Sequence, residues 1–393
     1  MKRRTKLVHG GRGGGGGRGG EAPGIVNLPV ARASTVLFDS MAHMHEVQRR
    51  FDADEVAPTY AIANMPLRAA FEDLMVEIEG GHRACTYPSG LAALAAALMA
   101  CTGAGDHVLV TDAVYGPTRR FCDRTLARFG VETTYYDPCI GAGIAGLLRP
   151  NTRAVYLESP ASLTFEVQDF PAIARIARAH GAAVIHDNTW ATGLYFRSFD
   201  HGADLVVQAA TKYPGGHSDI LIGAVVANEA WWPRLRDTSR DLGMTASPDD
   251  LFLALRGIRT MELRMREQGT NALALARRLQ SHPAVKRVLH PALEDDPGHA
   301  LWKRDFLGAS GLFGIELHPV PQARVAAFVD ALELFGLGYS WGGYESLVSP
   351  ATLGRHARTA RPWTGGPLVR LQVGLEDPDD LHADLLRGLA LLA

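Results

Sequence analysis

Cysteine, lysine and long apolar runs are all scarce in this chain. Its four cysteines (Cys85, Cys101, Cys122, Cys139) are widely spaced and form no CxxC pair. That pattern argues against a disulfide framework or a cysteine-based zinc site, and it suits a reducing, cytoplasmic setting. No run of about 18 apolar residues occurs, so no segment is expected to span a membrane. The start, MKRRTKLVHGG, is basic but lacks the apolar stretch of a signal peptide. A net charge of −2 gives no general attraction to nucleic acid or anionic lipid, so neither is an expected partner.

What is present is a chain of 393 residues, nearly half hydrophobic, enough for one large domain and a smaller companion. Residues 10–20 are almost all glycine with two arginines, a composition that cannot recover its ordering entropy by burial. Residues 25–60 hold two prolines (Pro29 and Pro58) and little periodicity. Residues 1–60 therefore read as a flexible Gly-rich tail and an extended arm. The period then changes. Apolar Leu67, Phe71, Leu74, Met75 and Ile78 predict a helix that stops at Gly80-Gly81. TYPSGLAALAAALMA reads as a turn into a buried Ala/Leu helix. Short strands at 107–111, 131–136, 154–157, 183–185, 205–207 and 222–226 follow, with helices at 118–129 and 171–180 between them. Strands separated by helical patterns predict an α/β domain with a mostly parallel central sheet, assigned to 61–260. After a largely helical stretch at 247–280 the strands thin out (285–289, 314–317, 368–373). Helices at 322–335 and 379–392 separate them, which predicts a smaller α+β domain over 261–393.

The chemistry centres on ADLVVQAATKYPGGHSD, residues 203–219. Lysine occupies only five positions: 2, 6, 212, 286 and 303. Lys212 ends a buried strand and precedes Pro214, Gly215 and Gly216. A desolvated amine can form a Schiff base where a guanidinium cannot; the plain alternative is an ordinary surface turn. Ser89-Gly90-Leu91 opens a helix whose free N–H groups suit a phosphate, or form a simple cap. Tyr115 follows the strand ending at Thr111, where a lone ring is more commonly packing. Asp187 ends another strand, and a carboxylate there calls for a cationic partner. Phosphate cradle, flat ring, acid and amine are together the parts that hold pyridoxal 5′-phosphate (PLP).

On these residues the chain resembles the Cys/Met-metabolism family of PLP-dependent enzymes, which has the aspartate aminotransferase fold (fold type I). The markers are LESP (157–160), HDNTWATG (186–193), QAATKY, GHSD, ALRGIRT (254–260), HPAL, WKRDF and YSWGGYESL (339–347). YSWGGYESL points to the β-lyase branch. The resemblance covers nearly everything from about Ala31 onward. It implies Lys212 as the Schiff-base lysine, Asp187 at the ring nitrogen and Tyr115 stacked on the ring. It also implies Gly90, Leu91, Thr211 and Tyr60 at the phosphate, with Lys212, Tyr115 and Tyr60 as catalytic groups. Arg370 in LVRLQV matches the clamp for the substrate α-carboxylate, supported by Tyr339, Ser340 and Trp341. An Arg within an apolar strand points the same way, unless it pairs with Glu376 or another acid.

The implied reaction is β-elimination from cystathionine or a related L-cysteine S-conjugate, releasing a thiol, pyruvate and ammonia. The alternatives are γ-elimination or γ-replacement, or a non-catalytic binding protein on the same scaffold. A homo-oligomer, a dimer of dimers with shared active sites, is also implied. One departure stands out. The family's Tyr-x-Arg at the end of the arm is here Tyr60-Ala61-Ile62, which removes a cation from the phosphate and distal substrate region.

Overall fold

The computed structural model describes residues 1–12, 26–62, 64–351, 353 and 358–392. Most of the glycine-rich stretch therefore lies outside the described residues. Among those described, seven strands form the large sheet: β1 (Arg83–Tyr87), β2 (His107–Thr111), β3 (Glu132–Tyr136), β4 (Thr152–Glu158), β5 (Ala183–Asp187), β6 (Leu205–Gln208) and β7 (Gly223–Ala227). Their order is β1-β7-β6-β5-β4-β2-β3. The run from β3 to β6 is parallel, and β7 lies antiparallel to both β6 and β1.

The strands are apolar on both faces because helices cover both, as a parallel sheet requires. On β4, Ala154 and Tyr156 enter one buried cluster while Val155 and Leu157 enter the opposite one. Leu205, Val206 and Val207 divide the same way on β6. The α/β class expected from the strand–helix alternation is the observed one. β1 was hidden in the sequence, since RACTY runs straight into the turn before the next helix.

That helix, Gly90–Cys101, is apolar nearly all round and lies within the core rather than on its surface. Ser89 caps it, its Oγ accepting the Ala92 N–H at 3.1 Å; loss of such a cap costs about 1 kcal/mol. A Cβ on Gly90 would sit 2.5 Å from the Ala209 Cβ, so only glycine lets the helix start approach the turn that carries Lys212.

The second sheet holds β8 (Val285–Leu289), β9 (Leu312–Leu317), β10 (Gly336–Leu337), β11 (Leu347–Ala351) and β12 (Leu368–Gln372), in the order β10-β11-β12-β9-β8. Helices Gln322–Asp330 and Pro378–Leu389 pack on it around Phe313, Phe328 and Leu385. The 32-residue helix Pro248–Leu279 crosses the expected boundary at 260/261. Its first half buries Leu251, Ile258 and Met265 against the large sheet, and its second half buries Leu275 and Leu279 against the small one.

The arm departs from the extended reading. Met41–Asp52 is a helix capped by Ser40, whose side chain accepts the His43 N–H. Met41, Met44, Val47 and Phe51 recur there at helical spacing, but only Val47 is buried in this chain. Arg3–His9 is also helical, and its Leu7 packs beside Phe71 and Leu74 of the helix Pro66–Glu79.

Candidate active site

The carboxyl ends of β4, β5 and β6 place Glu158, Asp187 and the Lys212 turn along one rim, where parallel sheets bind ligands. A cavity of about 710 Å³ opens there. Residues of both sheets line it, among them Gly90, Leu91, Tyr115, Tyr339, Trp341 and Arg370.

Lys212 Nζ donates to Ser340 Oγ at 2.6 Å and lies 5.3 Å from the centre of the Trp341 ring. Burial, reinforced by the Arg370 charge, pushes the amine down to about 8, with Asp187 pulling weakly the other way. Ser340 holds a left-handed backbone (φ 77°), and its carbonyl accepts Arg370 Nη2 at 2.9 Å. Gly342 is left-handed as well (φ 83°), and a Cβ there would lie 3.1 Å from Lys212 Cβ. The turn 340–342 thus presses directly on the lysine.

The lowered amine pKa has a testable result. Only a neutral amine can bond to an aldehyde carbon, and the neutral fraction rises about tenfold per pH unit below the pKa. Uptake of PLP by the apoprotein should therefore accelerate about tenfold per unit up to about pH 8 and then level off. Stopped-flow absorbance reads this directly; a rate still climbing steeply above pH 9 would mean the amine keeps an ordinary lysine pKa.

Asp187 accepts the Thr189 N–H at 3.1 Å, the Thr189 hydroxyl, and the Tyr156 hydroxyl at 3.4 Å. Burial pushes its pKa up against these donors and the Lys212 charge. The expected cationic side chain is not at ion-pair distance. Among the described residues, Asp187 forms no salt bridge, and the Lys212 charge acts on it only at longer range. A protonated ring nitrogen would supply the cation that no side chain does, so the donor set fits PLP.

Arg370 resolves differently. Burial lowers its pKa, and no acid pairs with it among the described residues. Glu376, the candidate partner, instead accepts the N–H and O–H of Ser346, each at 2.8 Å. A guanidinium that lines the cavity with no acid at ion-pair distance is ready for a carboxylate from outside.

Other expected residues fall variously. Thr211 lines the cavity, but its hydroxyl accepts the Ile222 N–H at 2.9 Å and donates to the Ile222 carbonyl at 3.1 Å. Tyr115 is half-exposed over the cavity, and its N–H donates to Glu158 at 2.7 Å. Tyr339 stands at the mouth, almost fully exposed. Tyr60 does not join this group in one chain; it is exposed and bridges Thr35. Glu158, Tyr156 and Thr189 were not singled out from sequence. Glu158 carried the same signal as Asp187, an acid ending an apolar strand.

Comparison with known proteins agrees with the geometry. The match to Cys/Met metabolism PLP-dependent enzymes spans residues 4–390. The chain belongs to that family. Its cofactor is pyridoxal 5′-phosphate. The chain is 47% identical over 373 residues to a cystathionine beta-lyase of Bordetella avium, covering 94% of this chain and 93% of the relative. It is 42% identical over 375 residues to the cystathionine beta-lyase MetC of Escherichia coli, covering 93% and 94% respectively. The crystal structure of a cystathionine gamma synthase from Xanthomonas oryzae superposes with a TM-score of 0.89 at 31% identity, covering 100% of this chain and 98% of that one.

Proposed function

We propose that this family member, a PLP-dependent carbon–sulfur lyase, breaks the Cβ–Sγ bond of an L-cysteine thioether. Cystathionine or a related S-conjugate plus water would give a thiol, pyruvate and ammonia. The observation that carries the reading is the Ser340 junction: one residue holds the Lys212 amine on its hydroxyl and the acid-free Arg370 on its carbonyl.

In this reading Arg370 takes the substrate α-carboxylate in a two-pronged charge-assisted contact. Ser340 sets the spacing between that anchor and Lys212. The neutral Lys212 amine removes the Cα proton, aided by its lowered pKa. The bound cofactor supplies an electron sink for the pair left at Cα, and Asp187 keeps its ring nitrogen protonated. Expulsion of the thiolate from Cβ follows, and the released unsaturated amine hydrolyses to pyruvate and ammonia. Tyr115 would cover the ring face. Its phenol stays protonated, since burial and the nearby Asp187 charge push its pKa up. Gly90 and Leu91, at the start of the core helix, are assigned to the phosphate.

Tyr60 lies outside this cavity within one chain, which supports a homo-oligomer whose arms complete neighbouring sites. Exposed Leu37, Met41, Val56 and Ile62 on the same arm favour that assembly. Four unpaired thiols fit a reducing interior, and we assign the protein to the cytoplasm. Among the described residues, no helix is long and apolar enough to cross a membrane.

The arm also bears on the substrate. Arg68, the nearest basic residue that could replace the missing cation, is buried against Glu72 at 2.8 Å and the Ile62 carbonyl. A distal polar group should therefore be gripped weakly. Incubation with cystathionine should yield pyruvate and homocysteine, with S-alkyl cysteines cleaved comparably. Ile62→Arg should raise kcat/KM for cystathionine by roughly one to two decades relative to the S-alkyl substrate. Appearance of 2-oxobutyrate and cysteine would assign γ-elimination instead, and no turnover of any thioether would leave a binding protein.

A further inference from the structure

Two carboxyl groups meet at the cavity rim. Glu158 on β4 and Asp187 on β5 are register partners on adjacent parallel strands, which run about 4.8 Å apart. Both line the cavity and are otherwise enclosed by protein. Neither forms a salt bridge among the described residues. Like charges that close, without a cation between them, cannot both persist, and one group must keep its proton.

The donors decide which. Asp187 receives three: the Thr189 N–H, the Thr189 hydroxyl and the Tyr156 hydroxyl. Lys212 adds a favourable charge. Glu158 receives one, the Tyr115 N–H at 2.7 Å. The groups around the pair are thus Tyr156 on β4, Thr189 after β5, Tyr115 before and Arg120 within the helix Gly116–Phe121, Lys212 after β6 and, across the same cavity, Arg370 on β12. Three donors and the Lys212 charge favour the ionised form of Asp187, against the one donor at Glu158. Burial and the Asp187 charge both drive Glu158 toward its neutral form.

We propose that Glu158 is a positioning residue that works as a neutral carboxylic acid, holding Tyr115 through its backbone N–H and leaving Asp187 as the one charged carboxylate of the pair. As the acid, Glu158 keeps a carbonyl oxygen for the Tyr115 N–H and turns an O–H donor toward its surroundings. Were it ionised as well, two carboxylates would face each other on adjacent strands with no salt-bridge partner for either among the described residues. The role rests on the PLP reading of this cavity but not on which thioether is cleaved.

Glutamine reproduces a neutral glutamic acid, with a carbonyl acceptor and an N–H donor on the same frame, whereas asparagine at 187 removes a required charge. In the holoenzyme, the infrared difference spectrum between wild type and Glu158→Gln should contain the carbonyl stretch of a protonated carboxyl. Glu158→Ala should weaken PLP binding at least tenfold, measured by absorbance titration of the apoprotein, and Glu158→Gln should recover most of that loss. Asp187→Asn should recover nothing relative to Asp187→Ala. A carboxylate band in place of the carbonyl stretch, or a Gln variant as impaired as the Ala variant, would overturn the assignment. Neither readout uses substrate, so each can fail while the β-lyase reading stands.

Discussion

Lys212→Ala should abolish turnover and release the cofactor from covalent attachment. Borohydride treatment of the wild-type holoenzyme should fix the pyridoxyl group to the peptide containing Lys212, and the variant should show no such adduct. The size of the effect follows from the double duty of the amine. Positioned proton transfer alone contributes about 10²–10⁴-fold, and loss of the covalent anchor adds to it, so kcat should fall by at least about 10³-fold. The fold should survive. Lys212 is part-buried and makes one side-chain hydrogen bond, to Ser340. Truncating it also removes a lone, partly desolvated cation whose pKa burial has already lowered. Near-normal turnover would show that another base removes the Cα proton, and the proposed mechanism would go with it.

Asp187→Ala is expected to be the second largest loss. The carboxylate sits at the end of β5 with hydroxyl and backbone donors on one side and Lys212 as its nearest attracting charge. With alanine there, the ring nitrogen has no anionic partner to keep its proton, and the charge developing at Cα loses its sink. An electrostatic partner of this kind accounts for about 3–4 kcal/mol, so kcat/KM should fall by roughly a hundredfold or more. Far-ultraviolet circular dichroism should change little, because the strand carrying Asp187 is held by Val184, Ile185 and their neighbours in the core. A fall in kcat with KM nearly constant is the expected pattern, since Arg370, the anchor proposed for the α-carboxylate, is untouched. Activity close to wild type would mean that a different group, with Glu158 first in line, protonates the ring.

The parts legible in the sequence were those encoded locally. Alternating apolar strands and helices announced a parallel sheet, because each strand buried on two faces must be apolar throughout. The rim residues were legible for a related reason. Polar residues such as Asp187, beyond Val184-Ile185, and Lys212, in the turn that follows Val206-Val207, stand where a buried strand reaches the open end of the sheet. Gly90 was legible as the start of a helix, although the 2.5 Å approach to Ala209 that requires glycine was not. The helix Met41–Asp52 was missed although Met41, Met44, Val47 and Phe51 recur at helical spacing; only Val47 of that stripe is buried in this chain.

The local sequence thus carried the fold class and the family motifs, and it singled out Lys212, Asp187 and Arg370 as the candidate amine, acid and guanidinium. Only the tertiary structure decided how they are coupled. Lys212 and Ser340 stand 128 positions apart in the chain, and Ser340 links amine and guanidinium, through its hydroxyl and its carbonyl, only because two sheets meet there. Whether Arg370 was an ion pair or a free anchor depended on Glu376 being occupied by Ser346. That Glu158 faces Asp187 depended on the register of β4 against β5. Periodicity reports which face of its own element a residue occupies. Charge pairing and proton sharing depend on which elements pack together, and that is fixed by contacts between segments far apart in the chain.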